Sequence, residues 1–302
     1  MSLYENIRPR LASGAVIGGA LVVLYTGMIA GADGITKLIA GGYAAPQLFA
    51  LSGLLVMGLT LLSARASGDL TAAIRVRARG VMAIRAVLTV VASLAFFMAF
   101  RHLPFADVFL FIAMIPLIAA VLSGPVLGER PQPLAWGALI VGACGALFLM
   151  PGGVGALQAG HLWALLAALT GTGSMLAARV IAKQERVPLA QVFWPNAALM
   201  LVMGAALPFV WMPMGLGDLG WIAAYAGFLF GARYVVAEAL RLLPAFVATP
   251  LMNLQFVWMV AIGFFAFGEV PSAGTVLGVT LVIASGAWLI FDEAMRAGRK
   301  AA

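Results

Sequence analysis

The feature that most constrains this chain is a series of long apolar runs without a charged residue. These runs cover 11–32, 38–64, 108–128, 131–178, 187–217, 242–268 and 270–291. A membrane-spanning helix needs about 20 apolar residues, and most of the runs reach that length. Strands of a membrane barrel would alternate apolar and polar residues, which these runs do not. Because the backbone is satisfied in lipid only by helices or closed barrels, the runs predict an all-α membrane protein.

The composition supports this class and argues against several others. Charged residues make up only 10% of the chain, against about 25% in soluble domains. The net charge of +7 comes from residues in short loops, so no nucleic-acid partner is expected. The two histidines, His102 and His161, lie near loops, and there is no HExxH motif or P-loop. We therefore expect no metal, no cofactor and no enzymatic activity, although an intramembrane enzyme is the rival class.

The runs divide into ten predicted spans. The run 131–178 is too long for one helix, and the sequence Pro-Gly-Gly at 151–153 divides it. Two shorter runs become full spans when Arg85 and Arg233 are admitted near their ends. The predicted spans are 11–39, 46–64, 80–100, 105–127, 133–150, 161–182, 189–211, 220–240, 245–267 and 272–291.

Lysine and arginine orient these spans. Thirteen of the 18 basic residues fall in loops and tails on one side, and only Arg101 falls in a loop on the other. Cytoplasmic loops carry the excess of basic residues, so both termini are predicted to be cytoplasmic. An even number of spans agrees with this. The first run is longer than the core of a signal peptide, and we interpret it as a retained helix.

The chain also contains an internal repeat. The sequence RHLP at 101–104 returns as RLLP at 241–244, and the pair Gly128-Glu129 returns as Gly268-Glu269, both at an offset of 140. Each copy has five spans, and because five is odd the second copy enters the membrane from the opposite side. The predicted architecture is two inverted five-helix repeats, 1–150 and 151–302. Inverted repeats are typical of secondary transporters.

Three motifs resemble a known family. They are FRHLP at 100–104 followed by Asp107, VLGERP at 126–131, and WGALI at 136–140 followed by Gly142 and Gly145. With the duplicated five-helix units, they resemble EamA-type members of the drug/metabolite transporter superfamily. The resemblance covers nearly the whole chain, although Val270-Pro271 replaces Arg130-Pro131 in the second half. It implies a protein of the bacterial cytoplasmic membrane with a cavity between the halves and peripheral helices five and ten.

The function implied by this resemblance is export of amino acids or similar small metabolites by alternating access. Within the family the chain looks most like the aromatic-amino-acid exporter branch, so aromatic and other neutral amino acids are favoured. The alternative is an exporter of other metabolites or drugs that is coupled to proton antiport. Besides a small-molecule substrate and membrane lipid, no partner is predicted; the oligomeric state stays open, and a monomer is compatible with the sequence.

Candidate functional residues are those whose chemistry is unusual inside a span. Ionisable groups there are costly and often functional, and amides bind polar groups across helices. Asp33 and Lys37, four residues apart, can pair on one helix face, which would also suit an interfacial salt bridge. The candidates for the substrate cavity are Tyr25, Phe97, Trp163, Tyr225, Asn253, Gln255 and Trp258. The gate or charge candidates are Asp33, Lys37, Arg179, Arg233 and Glu238, and the hinge candidates are Pro116 and Pro250.

Overall fold

The computed structural model describes residues 2–128, 158–242, 251–252 and 254–270, together with helical positions 273, 274, 277 and 280. Throughout this described part the regular structure is helical, as predicted. In chain order the helices are α1 (Ser2–Ala40), α2 (Ala45–Ala66), α3 (Arg79–His102), α4 (Phe105–Ala113), α5 (Ile115–Leu127), α6 (Ala159–Gln184), α7 (Pro188–Val210), α8 (Leu216–Leu242) and α9 (Gln255–Phe267). A short 3-10 helix (Leu70–Ala73) lies between α2 and α3.

Six helices of the described part are long and apolar enough to cross a membrane. Their spanning segments are Ile17–Ala40, Ala45–Ala66, Arg79–His102, Ala159–Gln184, Pro188–Val210 and Leu216–Val236. Six predicted spans are thereby confirmed, and the chain is a multi-pass membrane protein. The predicted fifth span lies outside the described residues, as does most of the tenth. The total of ten spans and the cytoplasmic termini stay predictions.

The fourth predicted span differs from the structure, because 105–127 forms two helices instead of one. The interruption is at Met114, whose N–H bonds the Phe111 carbonyl at 3.1 Å. Pro116 explains it. Proline has no N–H for the Ile112 carbonyl, and it restricts the backbone conformation of the preceding residue. The break occurs two residues before the proposed hinge, whose role in motion stays a prediction.

Two helix ends repeat the same turn at the offset found in the sequence. Gly128 and Gly268 follow α5 and α9 with φ of 69° and 66°, a left-handed conformation that glycine adopts without steric penalty. The Gly128 N–H bonds the Gly124 carbonyl at 3.0 Å, and the Gly268 N–H bonds the Phe264 carbonyl at 3.2 Å. The two donor residues are 140 residues apart, and so are the two acceptor residues. The repeated Gly-Glu pairs therefore begin with the same helix cap.

The chain packs into two compact units. The large unit comprises 34–227, and the small unit comprises 1–33 with 228–302. These units are defined by packing, whereas the halves 1–150 and 151–302 are defined by duplication and stay a prediction. In the large unit, α3 packs mainly on α6 and α2 on α7. Gly53 permits the second contact, because a Cβ there would lie 2.9 Å from the Asn196 carbonyl oxygen.

Charged side chains from outside α3 cap both of its ends in the large unit. At its N-terminus the Glu185 carboxylate accepts from the backbone N–H of Arg77 and of Ala78, each at 2.9 Å. At its C-terminus the Lys37 ammonium donates to the Leu103 carbonyl at 2.8 Å. Both charges complement the helix dipole. The N–H groups of Ala78 and Arg77 lower the pKa of the Glu185 carboxyl.

Candidate functional site

Four polar side chains from three helices come together in the small unit, and we call them the polar cluster. Tyr25 and Asp33 lie on α1, Arg233 on α8, and Gln255 is the first residue of α9. The Gln255 amide Nε2 donates to Asp33 Oδ2 at 2.9 Å. Tyr25 is close enough to both Arg233 and Asp33 for electrostatic interaction. Four candidates chosen separately from the sequence therefore lie in one cluster.

Glycines on α1 and α8 let the helices of this unit approach closely. A Cβ at Gly27 would lie 3.6 Å from the Trp258 indole, and a Cβ at Gly31 would lie 3.1 Å from the Phe228 ring. A Cβ at Gly231 would lie 2.7 Å from the methyl carbon of Met28. Small residues commonly permit such packing in membranes. They also place two aromatic rings beside the helix that carries Tyr25 and Asp33.

The cluster holds a carboxylate and a guanidinium inside segments that are otherwise apolar. Asp33 is half-buried and Arg233 is exposed. In the described ranges neither group forms an ion pair within 4 Å, and the hydrogen-bond partner of Asp33 is a neutral amide. Charged groups at membrane depth need polar partners or water. Both groups therefore retain hydrogen-bonding capacity beyond these contacts.

The remaining chemistry of the described residues does not suggest a metal centre. Within 2–128, 158–242, 251–252 and 254–270, no three His, Cys, Asp or Glu side chains cluster closely enough to hold an ion.

Tyr43 and Asp218, outside the polar cluster, form a hydrogen bond of 2.6 Å in the large unit. That bond to the carboxylate raises the pKa of the Tyr43 phenol. It joins the loop before α2 to the start of α8.

The structure gives Asp33 and Lys37 different partners. The pairing of these two residues was one interpretation of their spacing, but Asp33 accepts from Gln255 and Lys37 donates to Leu103. Helical spacing allows an i,i+4 pair but does not enforce it. Here each residue bonds a partner that is distant in the sequence instead. Lys37 therefore lies in the large unit as a cap of α3.

The other cavity candidates fall outside the polar cluster. Phe97 and Tyr225 are buried in the large unit next to Phe49, with ring centroids 5.9 Å and 6.4 Å from it. Trp163 lies partly exposed on α6. In this conformation the side chains of Phe97 and Tyr225 contribute to a packed core, and their contact with a solute stays a prediction.

The charge and hinge candidates outside the cluster are dispersed. Arg179 is exposed on α6 and Glu238 is partly buried on α8. Trp258, by contrast, lies next to the cluster, against Gly27. Asn253 and Pro250 are outside the described residues.

Sequence reasoning missed Arg85, which links three helices of the large unit. Its guanidinium donates to the carbonyls of Ser174 on α6 and Gln191 on α7, at 3.4 and 3.2 Å. The Gln191 carbonyl has no helical donor because the residue four positions later is Pro195, which lacks an N–H. Thr89 and Ser174 complete the network with hydroxyls 2.7 Å apart. The signal in the sequence was an arginine inside one span and a proline inside another.

Together, the apolar helices and the intramembrane polar cluster define a polytopic helical membrane protein. Residues 17–150 match the EamA-like transporter family. The family resemblance is confirmed over that stretch, which includes α1 from Ile17 onward, α2 to α5 and all three motifs.

Relatives and a solved structure extend this comparison. The chain is similar to the uncharacterized transporter YwfM of Bacillus subtilis (strain 168), with 31% identity over 177 residues, or 56% of this chain and 58% of that protein. It thus spans less than two thirds of YwfM. It is also similar to the pseudopaline exporter CntI of Pseudomonas aeruginosa, with 24% identity over 205 residues, or 66% of this chain and 71% of that protein.

A crystal structure of a protein has a similar fold. It has a TM-score of 0.65 and 19% identity, and the alignment covers 95% of this chain and 99% of that one. At this identity the likeness concerns the fold alone.

Proposed function

We propose that this chain is a secondary transporter that exports small zwitterionic metabolites, with aromatic and other neutral amino acids as the favoured substrates. The observation that carries the proposal is the polar cluster. A carboxylate and a guanidinium, Asp33 and Arg233, lie in otherwise apolar spans, with Tyr25 near both. The match to a transporter family and the relatives named as a transporter and an exporter support the class.

The charges of the cluster are complementary to those of an amino acid. An α-ammonium group is recognised by a carboxylate such as Asp33, and an α-carboxylate by a guanidinium such as Arg233. A desolvated charge without a partner costs several kcal/mol, so a solute that supplies both partners is favoured over a neutral one. The rings of Trp258 and Phe228, adjacent through Gly27 and Gly31, offer apolar faces to an aromatic or aliphatic side chain.

Alternating access is the proposed mechanism of movement. Two inverted halves can exchange conformations, which turns an outward-open state into an inward-open one. The offset of 140 residues and the matched helix caps at Gly128 and Gly268 support the duplication. The interruption of α4 and α5 at Met114 provides a place where the backbone can bend. The proposed location is the bacterial cytoplasmic membrane, with both termini inside.

The second candidate is proton-coupled antiport of another metabolite. Asp33 favours it, since a carboxylate at membrane depth that hydrogen-bonds a neutral amide can exchange a proton as well as bind an ammonium group. The similarity to a pseudopaline exporter extends the range of solutes beyond amino acids. A pH gradient separates the two candidates, because antiport responds to the gradient and facilitated export does not.

Measurements of flux in proteoliposomes test both candidate functions, facilitated export and proton-coupled antiport. We expect saturable counterflow of radiolabelled phenylalanine, with threonine and methionine as comparisons, measured with and without a pH gradient. Asp33→Asn and Arg233→Gln should each lower flux roughly tenfold or more, because a charge-assisted hydrogen bond contributes about 1.5–3 kcal/mol.

Matched substitutions outside the cluster serve as controls. Asp69→Asn and Arg65→Gln make the same changes of charge at exposed positions, and both should transport normally. Absence of flux in the wild type for every solute tested would refute the amino-acid substrate. Equal flux in Asp33→Asn and Asp69→Asn would refute the role of the cluster.

A further inference from the structure

A second site lies in the large unit, in a cavity of about 830 Å³ that contains no residue of the polar cluster. Its walls come from three elements. One wall is the segment 71–76 around the 3-10 helix, the second is the first two turns of α3, and the third is Trp194 of α7. The Trp194 indole N–H donates to the Ile74 carbonyl at 2.9 Å, which ties α7 to the segment.

The mouth of this cavity carries two arginines whose charge is available. Arg75 and Arg79 line the cavity and are exposed. Among the described residues, neither guanidinium has a carboxylate within 4 Å. Asp69 attracts Arg75 from a longer distance, but its carboxylate accepts from the N–H and hydroxyl of Thr71 at 2.9 and 2.7 Å. Glu185, the other carboxylate near this segment, caps α3 through backbone N–H groups.

The floor of the cavity is apolar and follows one face of a membrane-spanning helix. Met82, Ala83 and Ala86 line it, and together with Arg79 at the mouth they follow helical spacings of three and four residues. Seven residues of α-helix rise about 10 Å, so the face runs from the charged end of α3 well into its apolar segment. Trp194, an amphipathic ring typical of the membrane interface, lies on the opposite wall. The cavity thus has a cationic mouth and an apolar interior.

We propose that this cavity binds one anionic phospholipid, with its phosphate between Arg75 and Arg79 and the start of an acyl chain along Met82, Ala83 and Ala86. Basic pockets between membrane helices on the cytoplasmic side are suited to acidic headgroups. This end of the large unit carries six basic residues, namely Arg65, Arg75, Arg77, Arg79, Lys183 and Arg186, which is the pattern of a cytoplasmic face. A soluble anion would use the arginines but gain nothing from the apolar floor.

Lipid retention by the purified full-length chain tests the proposal. Native mass spectrometry in neutral detergent compares bound phosphatidylglycerol with phosphatidylcholine of the same acyl chains. The wild type should retain phosphatidylglycerol preferentially. Each of Arg75→Gln and Arg79→Gln should weaken retention about fivefold, and the double variant about thirtyfold, as expected for basic residues near an anionic headgroup.

Two further variants distinguish lipid binding in this cavity from a general effect of positive charge. The double variant Arg65→Gln/Arg186→Gln removes the same charge from exposed positions that do not line the cavity, and it should retain the lipid as the wild type does. Ala83→Phe fills the floor without changing charge and should also weaken retention. Size-exclusion profiles establish that each variant is folded, and the two single variants provide the test if the Arg75→Gln/Arg79→Gln protein is not.

Three outcomes would overturn the proposal. The first is equal retention of the two lipids by the wild type. The second is an equal loss in both double variants, which would indicate only the general charge of this end. The third is displacement of the lipid by millimolar inorganic phosphate together with normal retention in Ala83→Phe, which would make the cavity a site for a free anion.

Discussion

Replacing Gly53 by alanine tests whether the contact between α2 and α7 depends on the absence of a side chain. An ideal Cβ at this position lies 2.9 Å from the Asn196 carbonyl oxygen and 3.3 Å from both the N and the Cβ of Met200. Two of these three atoms belong to the backbone, so they cannot rotate away. The Asn196 side chain is itself held, since its Nδ2 donates to the Val192 carbonyl at 2.8 Å.

The expected loss of stability follows from how far α2 and α7 must move apart to accommodate the new Cβ. Ordinary contacts of a Cβ begin at 3.4 Å, so α2 and α7 must separate locally by about 0.5 Å. Overpacking of this kind costs about 1–3 kcal/mol. Gly58 lies on the same helix with no heavy atom within 4 Å of its ideal Cβ. Gly58→Ala is therefore expected to be neutral or to stabilise by up to about 1 kcal/mol.

Thermal unfolding in detergent, followed by fluorescence-detected size exclusion, measures the difference. Gly53→Ala should lower the apparent Tm by several degrees, at roughly 2–4 °C per kcal/mol for a chain of this size. Gly58→Ala should leave the Tm unchanged or raise it slightly. If the two variants had the same Tm, the reasoning from close backbone approach would be refuted.

Three further predictions concern helix ends and one buried network. Gly268→Ala should destabilise the protein by about 1–2 kcal/mol in the same assay, because the backbone at this position has a φ of 66°, a left-handed conformation that is unfavourable for a residue with a Cβ. An unchanged Tm would contradict this. Ala78 and Arg77 lower the pKa of Glu185 below its ordinary 4.5, so its stabilisation is complete above pH 4.5 and is lost as pH falls through the folded pKa. Wild-type Tm should therefore fall more steeply than that of Glu185→Gln between pH 6 and 3.5, and parallel curves would refute the cap. Arg85→Met should lower stability by about 1–3 kcal/mol, since it leaves the part-buried Gln191 carbonyl without a donor, and a Tm equal to that of the wild type would exclude this role.

Several features of the fold were predictable because they depend on local sequence. Six spans were located correctly from the lengths of the apolar runs, since the energy of placing a segment in lipid is largely a sum over its own residues. The repeated Gly-Glu pairs marked helix ends for a similar reason, because the left-handed cap requires glycine at that position. The break at Met114 was missed even though Pro116 was recognised, because a proline can either kink or divide a membrane helix.

The candidate site was predictable only in part. Tyr25, Asp33, Arg233, Gln255 and Trp258 were selected individually, since each is chemically unusual within an apolar run. Their assembly in the small unit could not be inferred from spacing, because they come from α1, α8 and α9. Phe97 and Tyr225 were equally plausible by residue type, and the structure places both in a packed core beside Phe49.

The sequence by itself determined that the protein lies in a membrane, where most of its described helices run, and that short motifs recur at an offset of 140 residues, since these follow from hydrophobicity and pattern along the chain. Only the tertiary structure decided which polar groups meet. Asp33 could bond Lys37 on its own helix or an amide on another, and it accepts from Gln255, 222 residues away. Inside lipid, where water does not compete, a polar group takes the partner that helix packing places within reach.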